Sequence, residues 1–380
     1  MIADALRAAR RRSDEPELSF GDWLESWHID LWLLVLLLAV AGLGIFVQYS
    51  ASGHSLDGVV SQAQRIGLGL VVMALIAQAP PDVYRTVTPW LYAAPIVLLV
   101  LVEVLGDHAK GAQRWLDLGF VRFQPSELMK LAMPITVAAF LHTRRLPPSL
   151  LTMLGTAVLI GLPAVLIMKQ PDLGTALLVI AAGSFALFLG GLRWRWILLV
   201  FAAAGAALPV LWDKLHDYQR QRILTLLDPE SDPLGTGYHI TQSKIAIGSG
   251  GPFGKGWLSG TQAKLEFLPE AHTDFIFAVY AEELGFLGVM LLMALYLAIV
   301  GRCLWIAIRA QDTFQRLLAG SLAMTFFIYI FINIGMVIGL LPVVGVPLPL
   351  VSYGGTSALS LLASFGILMS IHTHRKLLAN

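Results

Sequence analysis

The sequence predicts an all-α polytopic membrane protein, with about ten transmembrane helices and a large extracytoplasmic loop between helices seven and eight. Three observations predict it. The 380 residues are 57% hydrophobic and only 13% charged, with a mean hydropathy of +0.72, whereas soluble domains are about a quarter charged. Apolar runs near the ~20 residues needed to cross a bilayer recur along almost the whole chain. Basic residues fall mainly into alternate connecting segments, as the positive-inside rule requires. The single cysteine, Cys303, excludes an intramolecular disulfide and a cysteine-held metal cluster. A net charge of +1 and the lack of a nucleic-acid motif give no sign of a nucleic-acid partner.

In chain order, residues 1–30, with "RAARRRSDEPELSF", read as a cytoplasmic tail. The apolar run begins only near Leu31 and is long, which argues for an uncleaved first helix rather than a removed signal peptide. Spanning runs follow at roughly 31–49, 59–79, 88–106, 126–142, 151–168, 173–190, 195–211, 273–300, 316–340 and 354–372. Residues 31–372 are therefore one membrane domain, and 373–380 form a second cytoplasmic tail. Fourteen of the 26 basic residues lie in inner segments, among them Arg144, Arg145, Arg193, Arg195, Arg302, Arg309 and Arg375. The two long connections, 107–125 and 212–272, then face outward. Of the other twelve basic residues all but Arg65 lie in or beside outer segments. Lys214, Arg220 and Arg222 read as a solvated or headgroup-facing surface. Arg114, Lys130 and Lys169 sit among apolar residues at helix ends, where a bound anion or a buried ion pair is expected.

Four motifs carry possible chemistry. In "GAQRWLDLGFVRFQPSELMK", Arg114 and Trp115 suit the outer interface, and an arginine can grip phosphate with two donors. "QPSELMK" reads as a helix start with Pro125 in the first turn, Ser126 as cap and Glu127 near the positive end. Glu127 and Lys130 share a helix face and can pair, which serves packing as well as catalysis. In "MKQPDLGTALL", Asp172 is expected to cap the helix that follows the Pro171 break, and a role in holding a polar substrate or cation stays open. In "GSGGPFGKGWLSGTQAKLEFLPEAHTDF", five glycines from Gly248 to Gly256 imply either a flexible turn or a backbone that something approaches closely. His272 has no second histidine at ligand spacing and reads as a packed or interfacial residue. In "GLLPVVGVPLPLVSYGGTSAL", Pro342, Pro347 and Pro349 prohibit regular helix, so the segment is expected to dip toward the bundle. Ser352, Tyr353 and Gly354 then lead a helix start that either receives an anion or is simply a cap and turn.

"LPEAHTDFIFAVYAEELG" sets four acids on one apolar stretch. Glu270 belongs to the wet loop, and Asp274 lies near the positive helix end at the water boundary. Glu282 and Glu283 lie eight and nine residues further on, about 12–14 Å along the axis at 1.5 Å per residue. At that depth protein or water must surround them, so they are expected to be structural or part of a polar cavity.

Together "YSAS", "GAQRWLDLG", "FQPSELMKLA", "QPDLGTAL", "LEFLPEAHTDFIFAV", "AEELG" and "LPLVSYGGTS" resemble the SEDS family (shape, elongation, division and sporulation) over about residues 29–374. "WHID", "GWLSGTQAKLEFLPE" and "VSYGGTS" are closer to its elongation, RodA-like branch than to its division, FtsW-like branch. The resemblance implies a peptidoglycan glycosyltransferase that polymerises lipid II into glycan strands at the outer face of the cell inner membrane, for elongation and rod-shape maintenance. It implies that Asp274 is catalytic, that Glu127, Lys130, Asp172 and Arg114 are functional, and that Ser352 to Gly355 belong to the site. It implies as partners lipid II, the nascent glycan strand, the elongation machinery and a class B penicillin-binding protein.

On that substrate Asp274 is expected to act as general base on a sugar hydroxyl, in one inverting displacement. Arg114, Arg122, Lys130 and Lys169 are the expected partners of the leaving pyrophosphate, with His272, Glu282 and Glu283 as further polar support. No cofactor is called for. A divalent Mg or Mn ion is compatible with sharing that work, but no ligand set is visible. Two other readings stay open: a flippase for the lipid-linked precursor, and a scaffold for the synthase.

Overall fold

The structure, a computed structural model, describes residues 26–375 except 54, 110–111, 118–121, 215–216, 233–234, 266 and 269. Most of the expected N-terminal tail and residues 376–380 of the C-terminal one lie outside the described residues. Each of the ten apolar runs coincides with a helix: α1 Leu31–Ala51, α2 Leu56–Ala77, α3 Pro81–Leu105, α4 Pro125–His142, α5 Leu150–Lys169, α6 Leu173–Leu189, α7 Trp194–Lys214, then α11 Ile276–Ile308, α12 Thr313–Val337 and α13 Gly355–Thr373. Among the described residues seven of them are long and apolar enough to cross a membrane, and α6 falls just short in length. α4 misses that group because its first turn carries Glu127 and then Lys130 among apolar residues.

The two long connections are structured. Residues 107–123 hold a three-stranded antiparallel meander, β1 Asp107–Ala109, β2 Ala112–Asp117 and β3 Arg122–Phe123, with an irregularity between Asp107 and His108. This small sheet is an addition to the all-α reading. It sits where no apolar periodicity favours helix and where strand pairing satisfies the backbone instead. The connection after α7 contains α8 Asp217–Leu227, α9 Thr236–Ser249 and the single turn α10 Thr261–Lys264. α9 packs on α11 and α12, and the Ser243 hydroxyl donates to the Val337 carbonyl at 2.6 Å.

Helices that begin at one end of the bundle pack beside each other: α2 on α13, α4 on α6, and α4 on α13. Capping is local and conventional. Asp30, Ser55, Ser149, Asp172 and Asp312 each accept a backbone N–H of the helix that follows. Ser126 does not cap α4; Gln124 holds that position, Pro125 follows it, and the Ser126 hydroxyl is buried with no partner among the described residues.

α11 is broken at Gly285, with φ 66° and ψ −165°. The break receives the glycine-rich loop. The Phe286 amide donates to the Gly251 carbonyl at 2.9 Å, and the Leu287 amide donates to the Pro252 carbonyl at 3.1 Å. In turn the Lys255 and Gly256 amides donate to the carbonyls of Glu282 and Glu283, each at 3.0 Å. The glycines are thus required by close approach of the chain to itself. A Cβ at Gly285 would lie 2.1 Å from the Gly254 nitrogen, backbone that cannot swing away. Gly285→Ala should therefore destabilise the fold by on the order of 3 kcal/mol or more. Thermal unfolding of the purified chain in detergent checks this, and an unchanged midpoint would refute the docking of the loop.

Candidate active site

The proline-rich segment before α13 runs through the bundle as irregular backbone, with Val346, Leu348, Leu350, Val351 and Ser352 buried. Irregular chain at that depth needs every carbonyl satisfied, and distant side chains do this. Asn333 donates to the Val346 carbonyl at 2.8 Å, Tyr296 to the Pro349 carbonyl at 2.7 Å, and Gln62 to the Ser352 carbonyl at 3.1 Å. Gly44 lets the segment lie against α1, because a Cβ there would sit 2.6 Å from the Leu350 carbonyl oxygen. The expected dip toward the bundle is observed, and its end supplies Ser352, Tyr353 and Gly354.

Asp274 flanks this segment. It lies in the turn before α11, two residues ahead of the first helical residue Ile276, and is half-buried. Asn333 donates to its carbonyl at 3.0 Å, with the same amide group that holds Val346. The Asp274 carboxylate faces Gly345, where a Cβ would come within 3.6 Å of Oδ2. The adjacent His272 is exposed; its carbonyl accepts from the Tyr353 amide at 2.9 Å and its ring meets Tyr353 edge-on. α9 packs on the turn: the His239 ring stacks on Phe275 at 5.6 Å between centroids. Burial lowers the His239 pKa, and the nearby Glu270 and Asp232 charges oppose that shift. Glu270 accepts from the Thr273 hydroxyl at 2.7 Å and is exposed, as its place in the loop predicts.

Arg65 of α2 completes this corner. Its guanidinium lies 4.4 Å from the Tyr353 ring centroid and sits against Gly355, with Nε 3.3 Å from where a Cβ would be. The start of α13 has no side-chain cap, and this arginine lies against its first residue, an arrangement that favours an anion. Sequence reasoning did not assign Arg65 a role. Its signal was positional: it is the one basic residue outside both the inner loops and the outer segments, held within an apolar helix.

Glu127 and Lys130 form a buried ion pair at 2.6 Å. The Ser360 hydroxyl of α13 donates to the other Glu127 oxygen at 2.7 Å, and Lys130 faces the Tyr329 ring and lines a cleft with Thr325, Ser360 and Ser364. Asp172 caps α6 through the Thr175 amide at 3.2 Å and accepts from Gln124, the residue before α4, at 3.0 Å. Arg114 donates to the carbonyls of Gln170 and Pro171 and lies 3.9 Å from Asp172. Its donors therefore hold the α5–α6 corner, and Lys169 lies beside Glu103 at 3.8 Å while largely exposed. Arg122 belongs to β3, and its side chain lies outside the described residues.

Glu282 and Glu283 are buried and turned toward the loop. Glu282 accepts from Lys255 Nζ at 2.6 Å, the Thr261 amide at 2.8 Å, the Thr261 hydroxyl at 2.9 Å and the Gln262 amide. Glu283 accepts from the Ser50 hydroxyl of α1. Their support is structural, and they lie away from the Asp274 turn. Among the described residues no three His, Cys, Asp or Glu groups are placed to hold a metal ion, so no step is assigned to one.

Removing one member of the Glu127–Lys130 pair leaves the other charge buried, which costs about 3–5 kcal/mol. Glu127→Gln and Lys130→Met should each lower thermal stability strongly, and the double substitution should recover part of the loss. A double variant as unstable as the sum of both singles would refute a direct pairing.

Residues 28–377 match the family model FTSW_RODA_SPOVE, described as cell cycle protein. The chain is 57% identical to the peptidoglycan glycosyltransferase MrdB of Escherichia coli (strain K12), over 93% of this chain and 95% of the relative. It is 35% identical to the probable peptidoglycan glycosyltransferase FtsW of Coxiella burnetii, covering 91% and 96%. A solved chain from a peptidoglycan synthase complex, studied for its coordination of polymerization and crosslinking, superposes with a TM-score of 0.81 at 32% identity, covering 91% of this chain and 99% of that one. The Thermus thermophilus rod shape determining protein RodA superposes at 0.70 with 29% identity, covering 91% and 98%. The expected resemblance is therefore borne out: this multi-pass membrane protein belongs to the FtsW/RodA/SpoVE family of cell cycle proteins, with the RodA-like MrdB at 57% identity.

Proposed function

We propose that the chain is a peptidoglycan glycosyltransferase of the inner membrane that polymerises lipid II during cell elongation, with both termini cytoplasmic and the Asp274 end facing the periplasm. The observation that carries the reading is a half-exposed carboxylate, Asp274, fixed beside an irregular buried segment whose other end offers Arg65, Tyr353 and an uncapped helix start. A sugar hydroxyl needs a base within hydrogen-bond reach. Asp274 takes the proton of the acceptor hydroxyl, which attacks the anomeric carbon of the growing strand. Bond formation and loss of the undecaprenyl pyrophosphate occur in one inverting displacement.

The leaving pyrophosphate gains charge, and donors already aimed at it lower the barrier. Arg65 and the first N–H groups of α13 are best placed for that, whereas Lys130 is held by Glu127. Arg114 and Asp172 act one step back, by holding the α5–α6 corner against the start of α4. Residues 31–372 work as one membrane domain. A chain of the solved synthase complex superposes over 91% of this chain, which supports pairing with a penicillin-binding protein that crosslinks the strands made here. A flippase would need its intramembrane acids to line a polar path, whereas Glu282 is fully engaged by Lys255, Thr261 and Gln262.

Purified protein given lipid II in detergent should build glycan chains resolvable on a gel. Asp274→Asn, nearly isosteric, should cut polymerisation about 100-fold or more while leaving the unfolding midpoint unchanged; equal activity would sink the assignment of the base. Arg65→Met should slow the same reaction on the order of 100-fold. Arg65→Lys should recover only part of it, since lysine keeps the charge but not the planar fork. Full activity of Arg65→Met would remove this arginine from the site.

A further inference from the structure

The end of the bundle opposite Asp274 carries a cationic cluster that the proposed chemistry does not use. Arg302 and Trp305 lie in the last turns of α11 and Arg309 is its C-cap, while His374 and Arg375 follow α13. The three guanidinium groups surround one indole, at 4.2, 4.3 and 5.7 Å from the Trp305 ring centroid for Arg302, Arg309 and Arg375. A single carboxylate, Asp30, reaches the cluster among the described residues. Its Oδ2 accepts twice from Arg302, at 2.6 and 3.0 Å, and lies 3.3 Å from His372. Its Oδ1 accepts the Leu33 amide as the cap of α1.

Arg309 and Arg375 have no carboxylate at ion-pair distance among the described residues. Besides Trp305, Arg375 meets the His372 ring at 2.9 Å, and its buried Nε has no hydrogen-bond partner among the described residues. Among the described residues three guanidinium groups face one carboxylate, which leaves two of these charges without an acid there. The C-terminal dipoles of α11 and α13 offset about half a charge each, so an excess remains. Burial, and then the Arg309 and Arg302 charges, lower the Arg375 pKa, the direction expected of crowded cations lacking a counter-ion.

A second observation says what the missing anion is attached to. Leu297, Gly301, Trp305 and Arg309 follow one another at four-residue intervals along α11, and Ile308 lies three residues after Trp305 on the same side. Leu297 and Ile308 are 62% and 77% exposed, and nothing lies within 4 Å of a Cβ placed at Gly301. This exposed apolar row ends at a tryptophan and at arginines with no carboxylate at ion-pair distance among the described residues, the residue types of a lipid–water boundary. We propose that Arg309 and Arg375, braced on Trp305, hold the phosphodiester of an anionic glycerophospholipid whose acyl chain lies along Leu297, Gly301 and Ile308. Guanidinium groups suit a phosphodiester because each presents two parallel N–H donors.

The test is native mass spectrometry of the full chain, titrated with phosphatidylglycerol and with phosphatidylcholine of the same acyl chains. The wild type should retain the anionic lipid about tenfold more strongly, and Arg309→Gln with Arg375→Gln should abolish that preference. Arg144→Gln with Arg145→Gln, at another loop on the same end, should leave it unchanged. Equal retention of the two lipids by the wild type overturns the proposal without recourse to any variant. A preference that survives in the Arg309/Arg375 variant, or that disappears only in the Arg144/Arg145 variant, also overturns it. Millimolar inorganic phosphate should not displace the lipid; displacement would mean a site for free phosphate rather than for a lipid.

Discussion

The Glu282 carboxylate is the fixed point on which the active end of the molecule depends. It is fully buried on a membrane-crossing helix, where an unsatisfied charge is costly. Lys255, Thr261 and Gln262 of the long connection satisfy it together. That one requirement brings some sixty residues back onto the bundle. The docked loop in turn needs the helix opened at Gly285, since its backbone exchanges hydrogen bonds with both sides of the break. Asp274 lies eight residues upstream of the same carboxylate. The turn that presents it is thus held between a clamped helix below and α9, through His239 on Phe275, above.

A second constraint follows from irregular backbone at membrane depth. The segment 342–354 cannot be helical because of its prolines, and lipid offers its carbonyls nothing. Gln62, Tyr296 and Asn333, from three different helices, supply the donors. Asn333 is shared between this segment and the Asp274 carbonyl, so the proposed base and the buried proline-rich segment are held in register by one side chain. Functional geometry here is a by-product of hydrogen-bond satisfaction.

Much of the architecture was legible from residue chemistry. Apolar runs and the distribution of arginines located all ten helices, and the proline cluster announced the dip before α13. Depth along the helix separated Asp274 from Glu282 and Glu283 correctly in kind, because burial of a charge follows from distance along an axis. The partners were not legible. Nothing local to "GSGGPFGKG" says that its glycines face a break in a helix some thirty residues on, and nothing local to Arg114 says that two carbonyls take up its donors. The sheet at 107–123 was missed for the opposite reason: its strands are too short to carry a period-two signal. Arg65 was conspicuous by position, but the aromatic ring that explains it lies nearly three hundred residues away.

The two ends of the bundle treat arginine in different ways, and the difference explains why charge pattern alone misleads. At the Asp274 end Arg114 is consumed by backbone carbonyls and Lys130 by Glu127, so a cation set against the topological trend is not by itself a ligand group. Arg65 differs because its neighbours are a ring face and a glycine, neither of which neutralises it. At the other end the trend itself accounts for arginines in general, yet not for three on one indole with a single carboxylate. In both places the arginine proposed to meet an anion has an aromatic face beside it and, among the described residues, no carboxylate at ion-pair distance. A guanidinium on a ring keeps its in-plane N–H donors while its faces are covered. Under the two proposals the fold uses one device twice: aromatic residues hold arginines in place without discharging them, and the open edge of each guanidinium is left to phosphate.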